Sequence, residues 1–304
     1  MLYPQLTKIM SIYKYVLCVS LCFVSKICYC QINGLIYDSI THKGIPYSMI
    51  KDIDTLWSVC ANSNGVFCVE QQYLIQCKGV IISAHGYETK KILEPIFLEK
   101  IELEHSSKDS LNFKSGKAVI TANKTKNLGI PKVKLINPVF GSKVYESTEI
   151  ALFIENKSGK RGIIQNVSFF LTNLGVLNAP FRLRFYKNNR SVIDDNLIVD
   201  NIILTGYKKD DWNSFNLSEY KIDFPKEGCF VAVEWMNIDC SKYHYKLNDN
   251  SDGLGMTIGV TDSFPNFISY KRYNQKPWKK IGYIFWNGFR LFNYHPMINV
   301  DVLF

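Results

Sequence analysis

Apolar side chains recur with a period close to two between residues 31 and 103. Ile32 and Ile36 share one face of the first segment, and short, mainly apolar runs follow at Val66–Val69 and Val80–Ser83. Glycine or asparagine bounds these runs. Because a half-buried strand repeats every two residues, this stretch is predicted to form a small β-sandwich.

The rest of the chain divides into a polar stretch and a second region rich in strand patterns. Residues 104–130 are rich in Lys, Ser and Asn, which is typical of a linker. In residues 131–304, Tyr220–Phe224 is predicted to be an edge strand because Pro225, which follows it, cannot donate to a ladder. The other strands predicted there are Glu149–Ile154, Ile163–Leu171, Phe181–Tyr186, Leu197–Leu204, Cys229–Trp235, Leu254–Val260 and Tyr283–Trp286.

No convincing amphipathic helix interrupts these strands, so residues 131–304 are predicted to form a larger, jelly-roll-like β-sandwich. The predicted fold class is therefore all-β, with a small sandwich followed by a larger one. The length of 304 residues and the 47% hydrophobic content suffice for two cores.

The first 30 residues have the features of a secretory signal peptide. Lys8 and Lys14 supply positive charge, Tyr15–Val24 is apolar, and the small residue Cys30 precedes a cleavage site before Gln31. Translation from Met10 instead of Met1 would shorten the signal to an ordinary length, and both starts remain open. The mature protein is expected to be exported to the periplasm, the outer membrane or the cell surface.

Charge and hydropathy limit the partners of the mature chain. Removal of the signal leaves a net charge of +6, with basic residues scattered apart from a tract at 108–134, so a nucleic-acid partner is not expected. No later stretch approaches the roughly 20 apolar residues that span a bilayer, so no transmembrane segment is expected in the mature chain. The expected partners are a glycan or an envelope protein.

Five cysteines follow the predicted signal, and export would permit disulfides. Cys60 and Cys68 flank the Asn62–Gly65 turn and are predicted to pair across a hairpin. Cys229 and Cys240 are predicted to bracket another. Because five is an odd number, at least one thiol stays unpaired, and buried free cysteines are an equally good interpretation.

Four segments tie the first region to a known family: Ile32–Asp38, Gly44–Tyr47, Asn62–Phe67 and Ile81–Tyr87. With these segments, residues 31–103 resemble the carboxypeptidase regulatory-like family. The resemblance implies a transthyretin-like β-sandwich that is non-catalytic and serves as a packing or spacer domain in exported Gram-negative envelope proteins, including outer-membrane transporters.

Residues 131–304 more distantly resemble the uncharacterised β-sandwich partner domain that often follows this family. The residues that carry this second resemblance are Asp211-Trp212, Asn216–Tyr220 and Phe230–Trp235. It implies a fold and no activity.

Glu234 is the best candidate for acid or base chemistry. It interrupts an apolar strand, sharing one face with Phe230 and Ala232, so it is expected either to point into a lined groove or to make a structural hydrogen bond. A polysaccharide hydrolase could pair Glu234 with Asp211 or Asp239. The nucleophile-elbow, P-loop and dinucleotide motifs are absent, and no cofactor is expected.

Two metal patterns are present in the sequence. Asn248, Asn250 and Asp252 place oxygen donors at alternate positions before Gly253, as in a calcium loop, but the distal bidentate Glu is missing and a plain hairpin turn is favoured. His85 begins an H-x-x-E pattern, the first half of a zinc site, on a turn that the family resemblance already explains. No metal is therefore expected.

Tryptophan supplies the best candidates for ligand binding. Trp212, Trp278 and Trp286 lie among polar neighbours, as in a sugar-binding platform, although buried core rings are the more common case. Together with Glu234 they form the predicted ligand site. The favoured hypothesis is a non-enzymatic exported binding or scaffolding module; the alternatives are a polysaccharide hydrolase and a structural accessory of an outer-membrane transporter.

Overall fold

A computed structural model provides the structure of this chain. It describes residues 31–95, 98–106, 124–133, 139–197, 201–238, 242–247, 251–264, 266–281, 284–286, 289–291 and 294–304. The predicted signal peptide at residues 1–30 lies outside the described residues. Within the described ranges, no helix is long and apolar enough to cross a bilayer.

Two sheets form the first sandwich. A three-stranded sheet has the order β4-β1-β7, with β7 parallel to β1, and a four-stranded sheet has the order β3-β2-β5-β6. One short helix, α1, follows β4 and was not predicted. The elements are β1 (Gln31–Asp38), β2 (Met49–Asp52), β3 (Ser58–Cys60), β4 (Val66–Glu70), α1 (Gln71–Gln76), β5 (Gly79–Ser83), β6 (Lys90–Leu93) and β7 (Lys100–Leu103).

Alternate residues of these strands fill a core between the two sheets. Ile36 from β1 and Phe67 from β4 meet Ile50 and Ile82 from the other sheet, and all four are at most 1% exposed. Since strand side chains alternate between faces, the observed period of two explains which residues are buried.

The second sandwich contains the remaining strands. They are β8 (Thr125–Gly129), β9 (Val139–Lys143), β10 (Thr148–Ile154), β11 (Gly162–Leu171), β12 (Pro180–Asn189), β13 (Val192–Asn196), β14 (Ile202–Thr205), β15 (Asp211–Asn216), β16 (Asp223–Phe224), β17 (Cys229–Trp235), β18 (His244–Lys246), β19 (Asp252–Thr261), β20 (Ser269–Tyr273), β21 (Lys279–Lys280), β22 (Ile284–Trp286), β23 (Phe289–Leu291), β24 (His295–Pro296) and β25 (Ile298–Leu303).

Two large sheets organise these strands. A seven-stranded sheet has the order β13-β12-β17-β10-β20-β21, with β14 also on β12, and a nine-stranded sheet has the order β18-β19-β11-β25-β8 with β15, β16, β24 and β9 attached. β22 and β23 form a separate hairpin. β8 lies within the stretch predicted as a linker, 104–130, and pairs along the C-terminal strand β25.

The large core lies between the seven- and nine-stranded sheets. Val231, Val233 and Trp235 of β17 face Phe169 and other apolar residues of the nine-stranded sheet. The opposite face of β17 bears Phe230, Ala232 and Glu234 and lies outside this core. The prediction of an all-β sandwich fold is confirmed.

The two sandwiches are in direct contact. The backbone N–H of Cys60 donates to the carbonyl of Asn237 at 2.7 Å, and the Asn274 amide donates to the carbonyl of Leu56 at 3.0 Å. A small apolar cluster fills the junction beside these hydrogen bonds: Met49, Cys60, Met236 and Ile238. Because each of the two hydrogen bonds uses one partner from each sandwich, the contact fixes their mutual orientation.

Both predicted disulfides, Cys60–Cys68 and Cys229–Cys240, are wrong. Cys60 ends β3 of the four-stranded sheet, whereas Cys68 lies in β4, which pairs with β1 in the other sheet. The Asn62–Gly65 turn therefore leads from one sheet to the other and closes no hairpin. Cys60 and Cys229 are free, buried thiols, and Cys68 is disulfide-bonded.

Candidate functional site

A row of charged side chains crosses the seven-stranded sheet on the face away from the large core. The cross-strand register places Arg182 opposite Glu234, Glu234 opposite Glu149, and Glu149 opposite Arg272. Arg184 follows Arg182 by two residues and shares its face. The three arginines were not predicted, although arginine at every second position between Phe181, Leu183 and Phe185 is a detectable signal.

Glu234 is fully enclosed, and both of its carboxylate oxygens are occupied. Nη1 of Arg182 donates to Oε1 and Oε2 at 3.0 Å each, and Nε of Arg184 donates to Oε2 at 3.0 Å. Burial opposes ionisation, but the two guanidinium groups outweigh it and lower the pKa of Glu234 to about 2. An ionised carboxylate with no exposed surface has no proton to donate at neutral pH and no access to substrate.

Glu149 has a similar set of partners. Arg272 donates to its Oε1 from Nε at 2.8 Å, and the Tyr186 hydroxyl donates to Oε2 at 2.6 Å. Burial raises the pKa of Glu149 despite the neighbouring Arg272 charge. The Arg272 guanidinium also lies 4.4 Å from the centroid of the Trp278 ring. Trp278 thus covers the charged row, where it makes a cation–π contact.

Of the predicted tryptophan platform, the two described side chains, Trp212 and Trp278, do not come together. Trp278 packs on the outer face of the seven-stranded sheet, whereas Trp212 lies in β15 of the nine-stranded sheet and packs edge-on against Phe170. The Trp212 indole N–H donates to the carbonyl of Val133 at 3.1 Å. Trp286 lies in β22, and its side chain is outside the described part of the chain. Trp212 and Trp278 are separated because β15 and the segment after β20 belong to opposite sheets, a pairing that local sequence does not encode.

A different set of rings forms an open groove at the other end of β10 from Glu149 and the charged row. We call it the aromatic groove; it has a volume of about 540 Å³ and is lined by Phe153, Glu155, Lys157, Ser191, Ser263, Phe264, Asn266, Phe267 and Ile268. The rings of Phe264 and Phe267 meet edge to face with centroids 6.1 Å apart. The sequence prediction missed these residues. The signal that could have found them is two phenylalanines in a polar loop directly before a strand.

The rim of the aromatic groove is polar. Glu155 and Lys157 form an exposed ion pair at 3.6 Å, and Ser191, Ser263 and Asn266 supply hydroxyl and amide groups. The backbone N–H of Phe153 donates to the carbonyl of Ile268 at 2.8 Å, which fixes the groove floor to the sheet. The groove therefore combines partly exposed rings with hydrogen-bonding groups.

A serine and a histidine meet behind this groove. The Ser269 hydroxyl lies 2.8 Å from Nδ1 of His295, and both residues are at most 1% exposed. Burial lowers the pKa of His295 to about 4, so the imidazole is neutral at pH 7. Because the hydroxyl is enclosed, this pair cannot present a nucleophile to a substrate.

The H-x-x-E pattern lies on an exposed turn of the first sandwich. His85 and Glu88 are exposed. Between them lies Tyr87, whose hydroxyl donates a hydrogen bond to Asp38 at 2.6 Å. The His105 imidazole contacts the same carboxylate at 2.7 Å. The hydrogen bond from Tyr87 is the main factor that lowers the pKa of Asp38. Asp38 thereby ties the turn to β1, which is a structural function.

Among the described residues, no group of three or more His, Cys, Asp or Glu side chains is placed to hold a metal ion. Of the calcium-loop candidates, Asn248 and Asn250 lie outside the described residues. Asp252 begins β19 opposite Lys246 of β18, and its carboxylate lies 2.6 Å from Nζ of that lysine. The hairpin interpretation of this segment accounts for the position of Asp252.

No family model and no curated protein matches the chain, so both family resemblances stay predictions. Among solved structures, the chain is similar to the Clostridial cysteine protease Cwp84 after propeptide cleavage, with 12% identity, 81% of this chain and 51% of that chain covered, and a TM-score of 0.35. It is also similar to a structure of the cysteine protease and lectin-like domains of Cwp84, a surface-layer-associated protein of Clostridium difficile. Here the identity is 10%, the match covers 90% of this chain and 58% of that chain, and the TM-score is 0.33.

A third similar structure is BcpA, the major pilin subunit of Bacillus cereus, with 9% identity, 89% of this chain and 84% of that chain covered, and a TM-score of 0.17. The chain spans between half and three fifths of the two Cwp84 structures. These likenesses are distant and identify no family.

Proposed function

We propose that this chain is a non-enzymatic, exported binding protein of the cell envelope and that it contacts glycan through the aromatic groove. The observation that supports the proposal is the composition of that groove. Phe153, Phe264 and Phe267 offer ring faces, while Glu155 and Asn266 offer a carboxylate and an amide beside them. Sugar rings present C–H groups to aromatic faces and hydroxyls to polar groups. The groove therefore offers contacts to both the C–H groups and the hydroxyls of a glycan.

The first sandwich acts in this proposal as a rigid docking module. Its contact with the second sandwich includes a charge-assisted hydrogen bond, in which Nη2 of Arg182 donates to the carbonyl of Tyr47 at 2.7 Å. Arg182 lies in β12 of the seven-stranded sheet, and the groove lies at the Ile154 end of β10 in that sheet. A glycan bound there would therefore be held at a fixed position relative to any partner on the first sandwich.

The test is a glycan-array screen of the secreted protein, followed by calorimetric titration of the best hit. Phe264→Ala and Phe267→Ala should each weaken binding about tenfold or more, because each removes a ring of the groove. Tyr207→Ala is the matched control, since Tyr207 is an aromatic residue that is 52% exposed and lies outside the groove. Binding that is absent, or that both groove variants leave unchanged, would overturn the proposal.

Different measurements would establish the two alternatives, a polysaccharide hydrolase and a structural accessory of an outer-membrane transporter. Turnover of a polysaccharide that Glu234→Gln abolishes would establish the hydrolase, although the enclosed Glu234 carboxylate argues against it. Co-purification with an outer-membrane complex, together with no glycan hit, would establish the structural accessory. The direct contact between the sandwiches is compatible with that accessory function as well.

A further inference from the structure

A second cavity, which we call the interdomain cleft, opens between the two sandwiches. It has a volume of about 240 Å³. Lys51 and His85 line it from the first sandwich, and Arg182 and Arg184 line it from the second. The cleft is separate from the aromatic groove and shares no residue with it.

Arg184 has unused hydrogen-bonding capacity in this cleft. Its Nε donates to Glu234, while no described residue accepts from its two terminal nitrogens. Its side chain is 22% exposed, so these N–H groups are partly removed from bulk water. A bound acceptor would stabilise such a guanidinium, because it would replace the hydrogen bonds to water that partial burial has removed. Its two terminal nitrogens form a planar fork that matches the two oxygens of a carboxylate.

The other groups of the cleft favour an anion. Lys51, Arg182 and Arg184 bring three positive charges, and among the described residues the carboxylate paired with them is the enclosed Glu234, which contacts the two arginines. Asp52 follows Lys51 in β2 but is 1% exposed and turns inward, where its Oδ2 accepts from the backbone of Leu56. An excess of positive charge inside a recess attracts anionic ligands.

The polar lining indicates what the anion is attached to. Asn196, Asn201 and Gln275 supply amides, and Ser83 supplies a hydroxyl, so the cleft offers uncharged polar groups beside the guanidinium of Arg184. The volume suits a single sugar ring better than a folded peptide segment. We propose that the interdomain cleft binds an acidic sugar unit, with its carboxylate on the terminal nitrogens of Arg184 and its hydroxyls on the surrounding amides.

The test is calorimetric titration of the full-length secreted protein with glucuronate and short oligoglucuronides, with glucose as the neutral probe. Glucuronate should bind and glucose should not. Arg184→Gln should weaken glucuronate binding about tenfold or more, because it removes the charged fork. Lys51→Gln should weaken glucuronate binding less. It guards against a folding defect, because among the described residues the Lys51 side chain makes no hydrogen bond or ion pair and only lines the cleft.

Arg161→Gln is the matched control, since it removes an exposed arginine outside the cleft and should leave the affinity unchanged. Glucose binding as tightly as glucuronate, or an affinity that neither cleft variant alters, would overturn the proposal. Inorganic phosphate binding more tightly than glucuronate, with the same dependence on Arg184, would overturn the assignment to a sugar carboxylate. Phe264→Ala should not affect glucuronate binding, so the failure of one proposal leaves the other intact.

Discussion

Glu234 is an isolated charged residue in an otherwise apolar strand, and its environment is set by Arg182 on the neighbouring strand. From the sequence, Glu234 had two possible environments, a lined groove or a structural hydrogen bond. The structure shows the second, because Arg182 lies directly opposite Glu234 on the neighbouring strand. The residue type was informative, but its partner is 52 positions away and the pairing of β12 with β17 had to be known first.

Glu234→Gln should destabilise the protein by about 3–5 kcal/mol, because it leaves the buried guanidinium of Arg182 and the partly buried one of Arg184 without their counter-charge. Asp54→Asn is the control. Asp54 pairs with Lys78 at 3.2 Å with side chains 46% and 81% exposed, and such surface pairs contribute about 1 kcal/mol or less. Chemical denaturation of both variants measures the two losses, and equal losses would contradict the structural function of Glu234.

Glu234 should also make the free energy of unfolding depend on pH in the acid range. The folded-state pKa of Glu234 is about 2 and the ordinary value is 4.5, so its ionised form stabilises the fold fully above pH 4.5. That stabilisation is lost as the pH falls from about 4.5 towards 2. The Gln variant should therefore lose less stability than the wild type over this window, as measured by denaturation at each pH.

At the scale of elements, local pattern predicted strands well where both faces are apolar. β17 was predicted with the bounds that it has, Cys229–Trp235, because every residue in it is buried. β8 and β15 were missed because Thr125–Gly129 is largely exposed and Asp211–Asn216 is mostly polar. Their strand conformation depends on β25 and β11, which offer free edges, and a single segment carries no information about such a partner.

The turn between β3 and β4 shows the same limit. Asn64-Gly65 was correctly expected to turn the chain, and Gly65 has a φ of +77°. A turn residue specifies the change of direction but not which sheet the next strand joins. Here the next strand joins the opposite sheet, which is why the hairpin and its disulfide were wrong.

Gly65→Ala should be strongly destabilising for two reasons. A Cβ at this position would lie 2.5 Å from the carbonyl oxygen of Ile36 and 2.6 Å from the amide nitrogen of Ile45, and the positive φ adds about 1–2 kcal/mol. Gly159→Ala is the matched control, with φ +65° and no atom within 4 Å of the new Cβ, so it should show the cost of the positive φ alone. Thermal denaturation should give a clearly lower Tm for the Gly65 variant. Equal Tm values would mean that the turn does not pack against β1 as described.

At the scale of the whole molecule, the contact between the two sandwiches could not be predicted from the sequence. Cys60, Met236 and Ile238 looked like ordinary apolar residues at the ends of strands, and they are buried because the other sandwich covers them. The interdomain cleft exists for the same reason, since its lining comes from both sandwiches. Functional surfaces that two domains create jointly leave no local motif in either one.

Met236→Asp should uncouple the two sandwiches. Met236 is 3% exposed at the junction, so an ionised carboxylate there would have to be desolvated whenever the sandwiches dock. Differential scanning calorimetry should show one cooperative transition for the wild type and two for the variant, because each sandwich retains its own core. Leu174→Asp is the control, since Leu174 is 59% exposed and outside the junction, and it should keep the single transition. Two transitions in the wild type would show that the junction does not couple the domains, and the interdomain cleft would then lack the fixed geometry on which acidic-sugar binding depends.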